Sequence, residues 1–318
     1  MKKFLSLVVV LLFISVTTFA QNTTKKSYTG IKRIKISTSS GDCEIRKSTG
    51  ATVEVELSHT FDEKFFVPRF EQNGDRLTLG EEFNGRNFNG SVRWKLSVPD
   101  GIRVTFHTGS GNLIVDGVSL DLDAGSGSGD LEFSSVKGNV QASTGSGSVD
   151  LSNFNGEARM NTGSGNMTVN GAEGDLDLNC GSGDIKLFEA NAYFAVNTGS
   201  GNISADKIKI SGSSRFNTGS GRAKVTLAAT PTYDLSVNSG SGDAELNFNG
   251  NEIAGEVVMK ASKRWGHITA PFEFDKTEEI EQGGNGNDNV MLVKTAQRGK
   301  ATNRISVGTG SGDAVLRK

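Results

Sequence analysis

The strongest constraint on the fold is a short glycine-rich motif that returns at a nearly fixed interval. The motif is Thr-Gly-Ser-Gly followed by Asn or Asp, with variants, as at residues 162–166. Its second glycine occupies ten positions: Gly41, Gly111, Gly129, Gly147, Gly165, Gly183, Gly201, Gly221, Gly242 and Gly312. From Gly111 to Gly201 the interval is 18 residues five times in succession, and it then relaxes to 20 and 21. A constant period of this length predicts stacked structural units.

Apolar residues keep the same place in every repeat over residues 106–249, in two short stretches that alternate apolar and polar residues. The stretch after the motif gives the column Leu131, Val149, Met167, Ile185, Ile203, Ala223 and Ala244. The stretch before it gives the column Ala124, Ala142, Met160, Leu178, Val196, Phe216 and Val237. Uniform columns arise when each strand stacks on its counterpart about 4.8 Å away in the next coil. The pattern therefore favours a β-solenoid over the alternative, a meander of hairpins.

Small polar side chains form a further column, directly before the first glycine of the motif. Its members are Thr108, Ser126, Thr144, Thr162, Cys180, Thr198, Thr218 and Ser239. This column predicts an internal ladder at a tight corner. Cys180 belongs to it, whereas the other cysteine, Cys43, matches an apolar column about four coils, or ~20 Å, away. A disulfide needs Cα atoms within about 7 Å, so we predict two buried free thiols.

Less regular β-patterns flank the repeat. We predict an N-terminal β cap over residues 21–105, regular coils over 106–249, and a C-terminal β cap over 250–318 that ends on a final repeat strand. Caps are expected because a terminal coil would otherwise expose an unpaired edge and its core. Trp94 and Trp265 are assigned to these caps.

The first 20 residues have the features of a secretory signal peptide. Lys2 and Lys3 precede an apolar run, and Thr18-Phe19-Ala20 supplies small residues before a cleavage site after Ala20. The apolar run is short for an uncleaved anchor, and we find no other stretch that could span a bilayer in the mature chain. These features predict an exported protein of the bacterial periplasm, outer-membrane surface or exterior.

The charge balance argues against a nucleic-acid partner. The chain has 34 basic and 36 acidic residues, for a net charge of -2, and they are mixed along its length. Nucleic-acid-binding proteins usually carry a basic patch or stripe. No such stripe is present in the sequence.

The repeats also resemble a known family. The successive Thr-Gly-Ser-Gly copies, preceded by LSVPDG at residues 96–101, resemble a bacterial domain of unknown function that is classed as a proposed adhesin. They are similar too to the head domain of proposed auto-transporter adhesins. The resemblance covers roughly residues 30–318 and implies a right-handed, single-stranded β-helix on an exported protein. It supplies no catalytic residues.

The residue after each motif could either bind calcium or form hydrogen bonds that stabilise the turn. This column reads Asn112, Asp130, Ser148, Asn166, Asp184, Asn202, Arg222 and Asp243. Glycine-aspartate repeats can bind calcium, but calcium sites gather several carboxylates, and here two aspartates never fall in successive coils. The spacing favours turn-stabilising hydrogen bonds, and we expect neither a metal nor a cofactor.

The candidate binding residues lie in outward columns before the motif. Five amides, Asn161, Asn179, Asn197, Asn217 and Asn238, are predicted to form a flat row. The row could be a ladder that stabilises the stack, or a polar surface for a glycan or an envelope protein. Tyr193 lies in a neighbouring polar column, so we expect it to be exposed.

The sequence as a whole favours a non-enzymatic cell-envelope module, adhesin-like, that presents flat polar faces of an all-β right-handed solenoid to a surface ligand. Two alternatives stay open. A glycan-active β-helical enzyme would need a charged cleft with perturbed carboxylates, and no such cluster is visible in the sequence. A structural periplasmic factor would bind nothing specific.

Overall fold

The computed structural model describes residues 22–85, 90–281 and 290–318, so the predicted signal peptide lies outside the described residues. The described part of the chain is all-β, with 27 strands and no helix. It therefore contains no helix that could cross a membrane.

Seven strands precede the regular repeat. They are β1 (Asn22–Tyr28), β2 (Arg33–Thr38), β3 (Asp42–Lys47), β4 (Val53–His59), β5 (Phe66–Asn73), β6 (Arg76–Phe83) and β7 (Val92–Val98).

Fourteen strands form the regular repeat. They are β8 (Ile102–Thr108), β9 (Leu113–Asp116), β10 (Leu120–Ser126), β11 (Leu131–Ser134), β12 (Lys137–Thr144), β13 (Val149–Thr162), β14 (Met167–Cys180), β15 (Ile185–Phe188), β16 (Asn191–Thr198), β17 (Ile203–Ile210), β18 (Ser214–Thr218), β19 (Ala223–Leu227), β20 (Leu235–Ser239) and β21 (Ala244–Asn247).

Six strands follow. They are β22 (Gly255–Ser262), β23 (Ile268–Thr269), β24 (Lys276–Glu281), β25 (Val290–Arg298), β26 (Arg304–Thr309) and β27 (Ala314–Arg317).

Strands of the repeat pair in parallel with their counterparts one coil later. Leu131 of β11 lies opposite Val149, which lies opposite Met167, and the same register continues to Ala244. Hairpins pair antiparallel, so this ladder excludes the meander over β8–β21. The residues of both predicted apolar columns are buried, which confirms the predicted core.

Each coil presents two outer surfaces that matter below. Face A is the outer surface of the strands that precede the motif, such as β10, β12 and β16. Face B is the outer surface of the strands that follow it, such as β9, β11 and β15. Side chains alternate between the core and these faces because successive residues of a strand point to opposite sides.

The two ends of the stack are built alike. Strands β2 and β3 pair with β8 and β9, so the coil of Gly41 stacks directly on that of Gly111 despite the 70 residues between these glycines. On the other side β2 and β3 pair with β6 and β7. In the same way β26 and β27 lie between β20/β21 and β22/β23. Each 70-residue interval thus contains an outer layer of strands, after which the chain returns to the stack. The division of residues 21–318 into two caps and a regular repeat stays a prediction.

Antiparallel strands complete both ends. Strand β4 joins β1 to β7, and β5 pairs with β6; β25 lies between β22 and β24. The edge strand β5 carries Pro68, and every residue of the edge strand β24 (KTEEIE) is exposed. Proline and charge on an edge strand oppose pairing with further chains.

Candidate functional site

The corner motif is explained by close packing of the backbone. A Cβ atom on Gly165 would lie 1.9 Å from the carbonyl oxygen of Gly147, and one on Gly129 would lie 1.8 Å from that of Gly111. Glycine is therefore required because the coils approach each other closely. Ser39 takes the place of the first glycine in the coil of Gly41, where no further motif coil lies beneath it.

The small polar column forms the predicted ladder. The hydroxyl of Thr162 accepts the Gly165 N–H at 3.2 Å and donates to the Gly147 carbonyl at 2.8 Å. Cys180 makes the same two contacts, accepting from Gly183 at 3.0 Å and donating to Gly165 at 3.2 Å. Equivalent contacts recur from Ser126 to Thr309, so this column ties each corner to the one before it.

Glu81 ends this ladder at the N-terminal layer. Its Oε1 accepts the hydroxyl of Thr38 at 2.5 Å and the indole N–H of Trp94 at 3.0 Å. The side chain of Trp94 is fully buried. The carboxylate thus satisfies two donors for which the ladder offers no further acceptor.

The column after each motif forms a second ladder, but its hydrogen bonds run between coils and not within each turn as predicted. At the C-terminal end Asp313 stacks on Asp243, so two aspartates do fall in successive coils there. The Asp130 carboxylate accepts the backbone N–H of Ser148 at 2.7 Å, and Asn166 accepts that of Asp184 at 2.9 Å. Asp184 in turn accepts the N–H of Asn202 at 2.8 Å. Oxygens already bonded to backbone N–H groups are poorly placed as calcium ligands. The described residues contain no group of three or more potential metal-ligating side chains.

The predicted amide row is present from Asn179 onward. Asn197 donates to Asn179 at 3.0 Å, Asn217 to Asn197 at 3.1 Å, and Asn238 to Asn217 at 3.0 Å. Asn161 is exposed, and its amide makes no hydrogen bond to the described residues. From Asn179 to Asn238 the row is therefore a hydrogen-bonded ladder on face A that stabilises the stack. Asn161 precedes this ladder and is not bonded to it.

Tyr193 is half-buried, which corrects the prediction that it is exposed. It lies opposite Asp175 in the preceding coil, as its column predicted. The coil that follows is two residues longer, and its Gly212 packs against the phenol: a Cβ there would lie 3.3 Å from the Cβ of Tyr193. One part of the tyrosine is thus covered by the inserted turn.

Face A also contains a shallow depression of about 350 Å³ across the coils of β8–β13. Its lining includes Arg103, Asp121, Asn139, Gln141, Glu157 and Arg159. Four of the charges pair locally, Arg103 with Asp121 at 3.3 Å and Arg159 with Glu157 at 3.0 Å, whereas Asp123, which also lines the depression, makes no ion pair within the described part of the chain. The depression therefore offers donors and acceptors with a small excess of negative charge.

Among the described residues four carboxylates have a lowered pKa, and each has a single structural partner as the main cause. Side-chain hydrogen bonds from Lys25 and Lys47 lower the pKa values of Glu56 and Asp100. The Arg33 guanidinium lowers that of Asp75 in the same way. The backbone N–H of His267 lowers the pKa of Asp313. Such pairs are typical of surface ion pairs that hold neighbouring strands.

Both cysteines are free and buried, as predicted. Cys43 lies in the coil of Gly41 and pairs with Leu113, whereas Cys180 lies in the coil of Gly183. The two are five coils apart, one more than the sequence suggested. Burial raises the pKa of the Cys43 thiol.

Sequence comparison identifies the family. Residues 31–269 match the family described as Toastrack DUF4097, and the chain belongs to this family. A search of curated proteins found no match.

Several solved structures resemble the chain at low sequence identity. A proposed adhesin from Parabacteroides distasonis is 18% identical, with a TM-score of 0.35 over 72% of this chain and 89% of that one. A proposed adhesin from Bacteroides fragilis is 13% identical, with a TM-score of 0.34 over 94% and 99%. A proposed lipid-binding protein from P. distasonis is 14% identical, with a TM-score of 0.39 over 94% and 96%. At these TM-scores the family assignment rests on the sequence match.

Proposed function

We propose that the chain is an exported, non-enzymatic binding module of the bacterial cell envelope. The coils would wind as a right-handed single-stranded β-solenoid, since connections between parallel strands are right-handed in almost all proteins. Face A is the proposed binding surface, and a surface glycan or an envelope protein is the proposed partner.

The observation that carries this proposal is the unbroken parallel sheet beneath face A. Close packing at the corner glycines and the small polar ladder fix each coil to the next, and the amide ladder adds bonds from Asn179 onward, so the face is preformed before any ligand arrives. A preorganised surface loses little conformational entropy on binding. Its side chains are polar and some of its charges pair locally, as Arg103 does with Asp121, which suits many weak hydrogen bonds to a polyhydroxylated ligand.

Export is part of the proposal, because a module that contacts a surface ligand must leave the cytoplasm. The predicted signal peptide supports this step. Of the predicted locations, which are the periplasm, the outer-membrane surface and the exterior, the outer-membrane surface is the one that fits adhesion.

The test is a glycan array combined with a pull-down of envelope proteins, using the chain from residue 21 onward. Two variants alter face A: Tyr193→Ala removes an aromatic ring, and Asn197→Lys places a charge in the amide ladder. Thr168→Lys is the matched control on face B, where Thr168 lies between Asp150 and Lys186. Circular dichroism of each variant checks that the fold is retained.

We expect the wild-type chain to retain a ligand, the face A variants to lose affinity, and Thr168→Lys to bind as the wild type does. Equal binding by all three variants would remove face A as the binding surface. No retention of any glycan or protein by the wild-type chain would favour the structural factor instead.

A further inference from the structure

One corner near the C-terminal end of the stack differs from the motif corners. Gly266 stacks on the last motif coil, since a Cβ there would lie 2.2 Å from the carbonyl oxygen of Gly312. It therefore takes the place of a motif glycine in the outer layer formed by β22 and β23. Two residues, Gly310 and Ser311, separate Thr309 from Gly312, but four separate Ala261 from Gly266. The insertion replaces glycine and serine with the sequence Ser-Lys-Arg-Trp.

Hydrogen bonds hold this turn, residues 262–267, which we call the Trp265 turn. The Ser262 hydroxyl accepts the backbone N–H groups of Arg264 at 3.3 Å and Trp265 at 3.4 Å. The Ser262 carbonyl accepts the N–H of Gly266 at 3.1 Å, and Asp313 accepts that of His267 at 2.9 Å. Both ends of the turn are thus anchored to the stack.

The turn presents an exposed indole. Trp265 is 60% exposed, more than any other large hydrophobic side chain in the described residues. The guanidinium carbon of Arg264 lies 4.6 Å from the indole centroid, so it covers one side of the indole and leaves the other open. An exposed tryptophan on a fixed backbone has the properties of an interface anchor, because it offers a large apolar area and has little rotamer freedom to lose.

The surrounding charges indicate the kind of partner. The Lys263 ammonium lies 2.7 Å from the Glu279 carboxylate, and the His267 ring lies 3.1 Å from the Asp313 carboxylate. Arg264 makes a further interaction besides its contact with the indole. An anionic membrane or a nucleic acid would need uncompensated basic charge, which these pairs remove. The arrangement instead offers an apolar face bordered by charged donors and acceptors.

We propose that the Trp265 turn is a carbohydrate-binding contact. One sugar ring of a glycan would place its apolar C–H face on the open side of the indole. Its hydroxyl groups would bond to the ionic side chains at the rim, those of Lys263 and His267 with their carboxylate partners. The contact lies at the C-terminal end of the stack and does not depend on a ligand on face A.

Intrinsic fluorescence offers a direct test, because the chain has only two tryptophans and Trp94 is fully buried. The probes are cellohexaose, chitohexaose and hexagalacturonate, each titrated while acrylamide quenching is measured. Binding should protect the exposed Trp265 from quenching and leave the emission of Trp94 unchanged. Calorimetry then compares the variants, including those without the reporter.

We expect Trp265→Ala to lower the affinity for the bound hexasaccharide at least tenfold, and Arg264→Gln to lower it several-fold. Tyr233→Ala is the control, since Tyr233 is 47% exposed and lies elsewhere. Its affinity, and that of the face B variant Thr168→Lys, should equal the wild type's. Three results would each overturn the proposal. Trp265→Ala could bind the hexasaccharide as tightly as the wild type does, or none of the sugars could protect Trp265 from acrylamide. In the third, only phosphatidylglycerol vesicles, titrated in the same way, would protect Trp265.

Discussion

Replacing a corner glycine by alanine should destabilise the stack far more than the size of a methyl group suggests. In Gly165→Ala the new Cβ would lie 1.9 Å from the Gly147 carbonyl oxygen, whereas real Cβ atoms keep at least about 3.0 Å from such atoms. The two coils must therefore separate by about 1 Å at this corner. Three hydrogen bonds cross the corner, from the N–H groups of Gly163 and Ser164 and the hydroxyl of Thr162, at 2.8 to 3.2 Å.

Each of those bonds contributes about 1 kcal/mol, so we expect a loss of about 3 kcal/mol. For a chain of this size the loss corresponds to a fall in Tm of roughly 6–12 °C. The assay is thermal and urea unfolding followed by circular dichroism. Gly50→Ala is the matched control, because the nearest atom to a Cβ there is 3.9 Å away; it should change the free energy of unfolding by less than about 1 kcal/mol. If Gly165→Ala is as stable as Gly50→Ala, the close-packing explanation of the motif is wrong.

Three further predictions concern the ladder, its end at Glu81 and the buried thiol of Cys43. Thr162→Val should lower the free energy of unfolding by about 2 kcal/mol, because it leaves a glycine N–H and a carbonyl without partners. Urea unfolding measures this loss. Thr162→Ser is the control, and it should be as stable as the wild type because its hydroxyl can make the same bonds. Glu81→Ala should cost about 3 kcal/mol and increase acrylamide quenching of Trp94, since two donors lose their acceptor; unchanged quenching would contradict this role. Cys43 should stay unreactive toward a thiol reagent in the folded state, because burial raises its pKa. The thiol of the unfolded chain ionises at about pH 8.5. The contribution of Cys43 to the free energy of unfolding should therefore be independent of pH below that value and should decrease above it, because only the unfolded thiol loses its proton there. Cys43→Ala should lack this decrease.

The regular part of the fold could be predicted because a fixed period makes positions equivalent. Once Met167 is aligned with Val149 and Ile185, burial of one implies burial of all, and the column before the glycines predicts a ladder. Cys180 shows how far this holds: its thiol makes the hydrogen bonds that threonine makes elsewhere. The free thiols followed from the same alignment.

Features that break the period could not be predicted in this way. The two-residue insertion near Gly212 turned the exposed position expected for Tyr193 into a half-buried one. At the second corner of each coil the left-handed backbone of Ser135, Asn153, Glu189 and Lys207 could not be predicted, because glycine holds the equivalent position only at Gly117 and Gly171. The displaced outer layers leave no periodic trace, since the strands within each 70-residue interval are not copies of the repeat. The Trp265 turn could not be predicted either, because no periodic spacing places Gly266 on the motif glycine Gly312.

The most direct test of the proposed function is the location of the protein in intact cells. The proposal requires that the chain be exported, lose residues 1–20 and stand where a surface ligand can reach it. Cell fractionation with mass spectrometry of the N-terminus, combined with protease treatment of intact cells, measures all three. We predict a chain that begins at Gln21, fractionates with the envelope and is removed by external protease. A chain that keeps its first 20 residues, or one that is protected until the outer membrane is opened, would contradict an adhesive role.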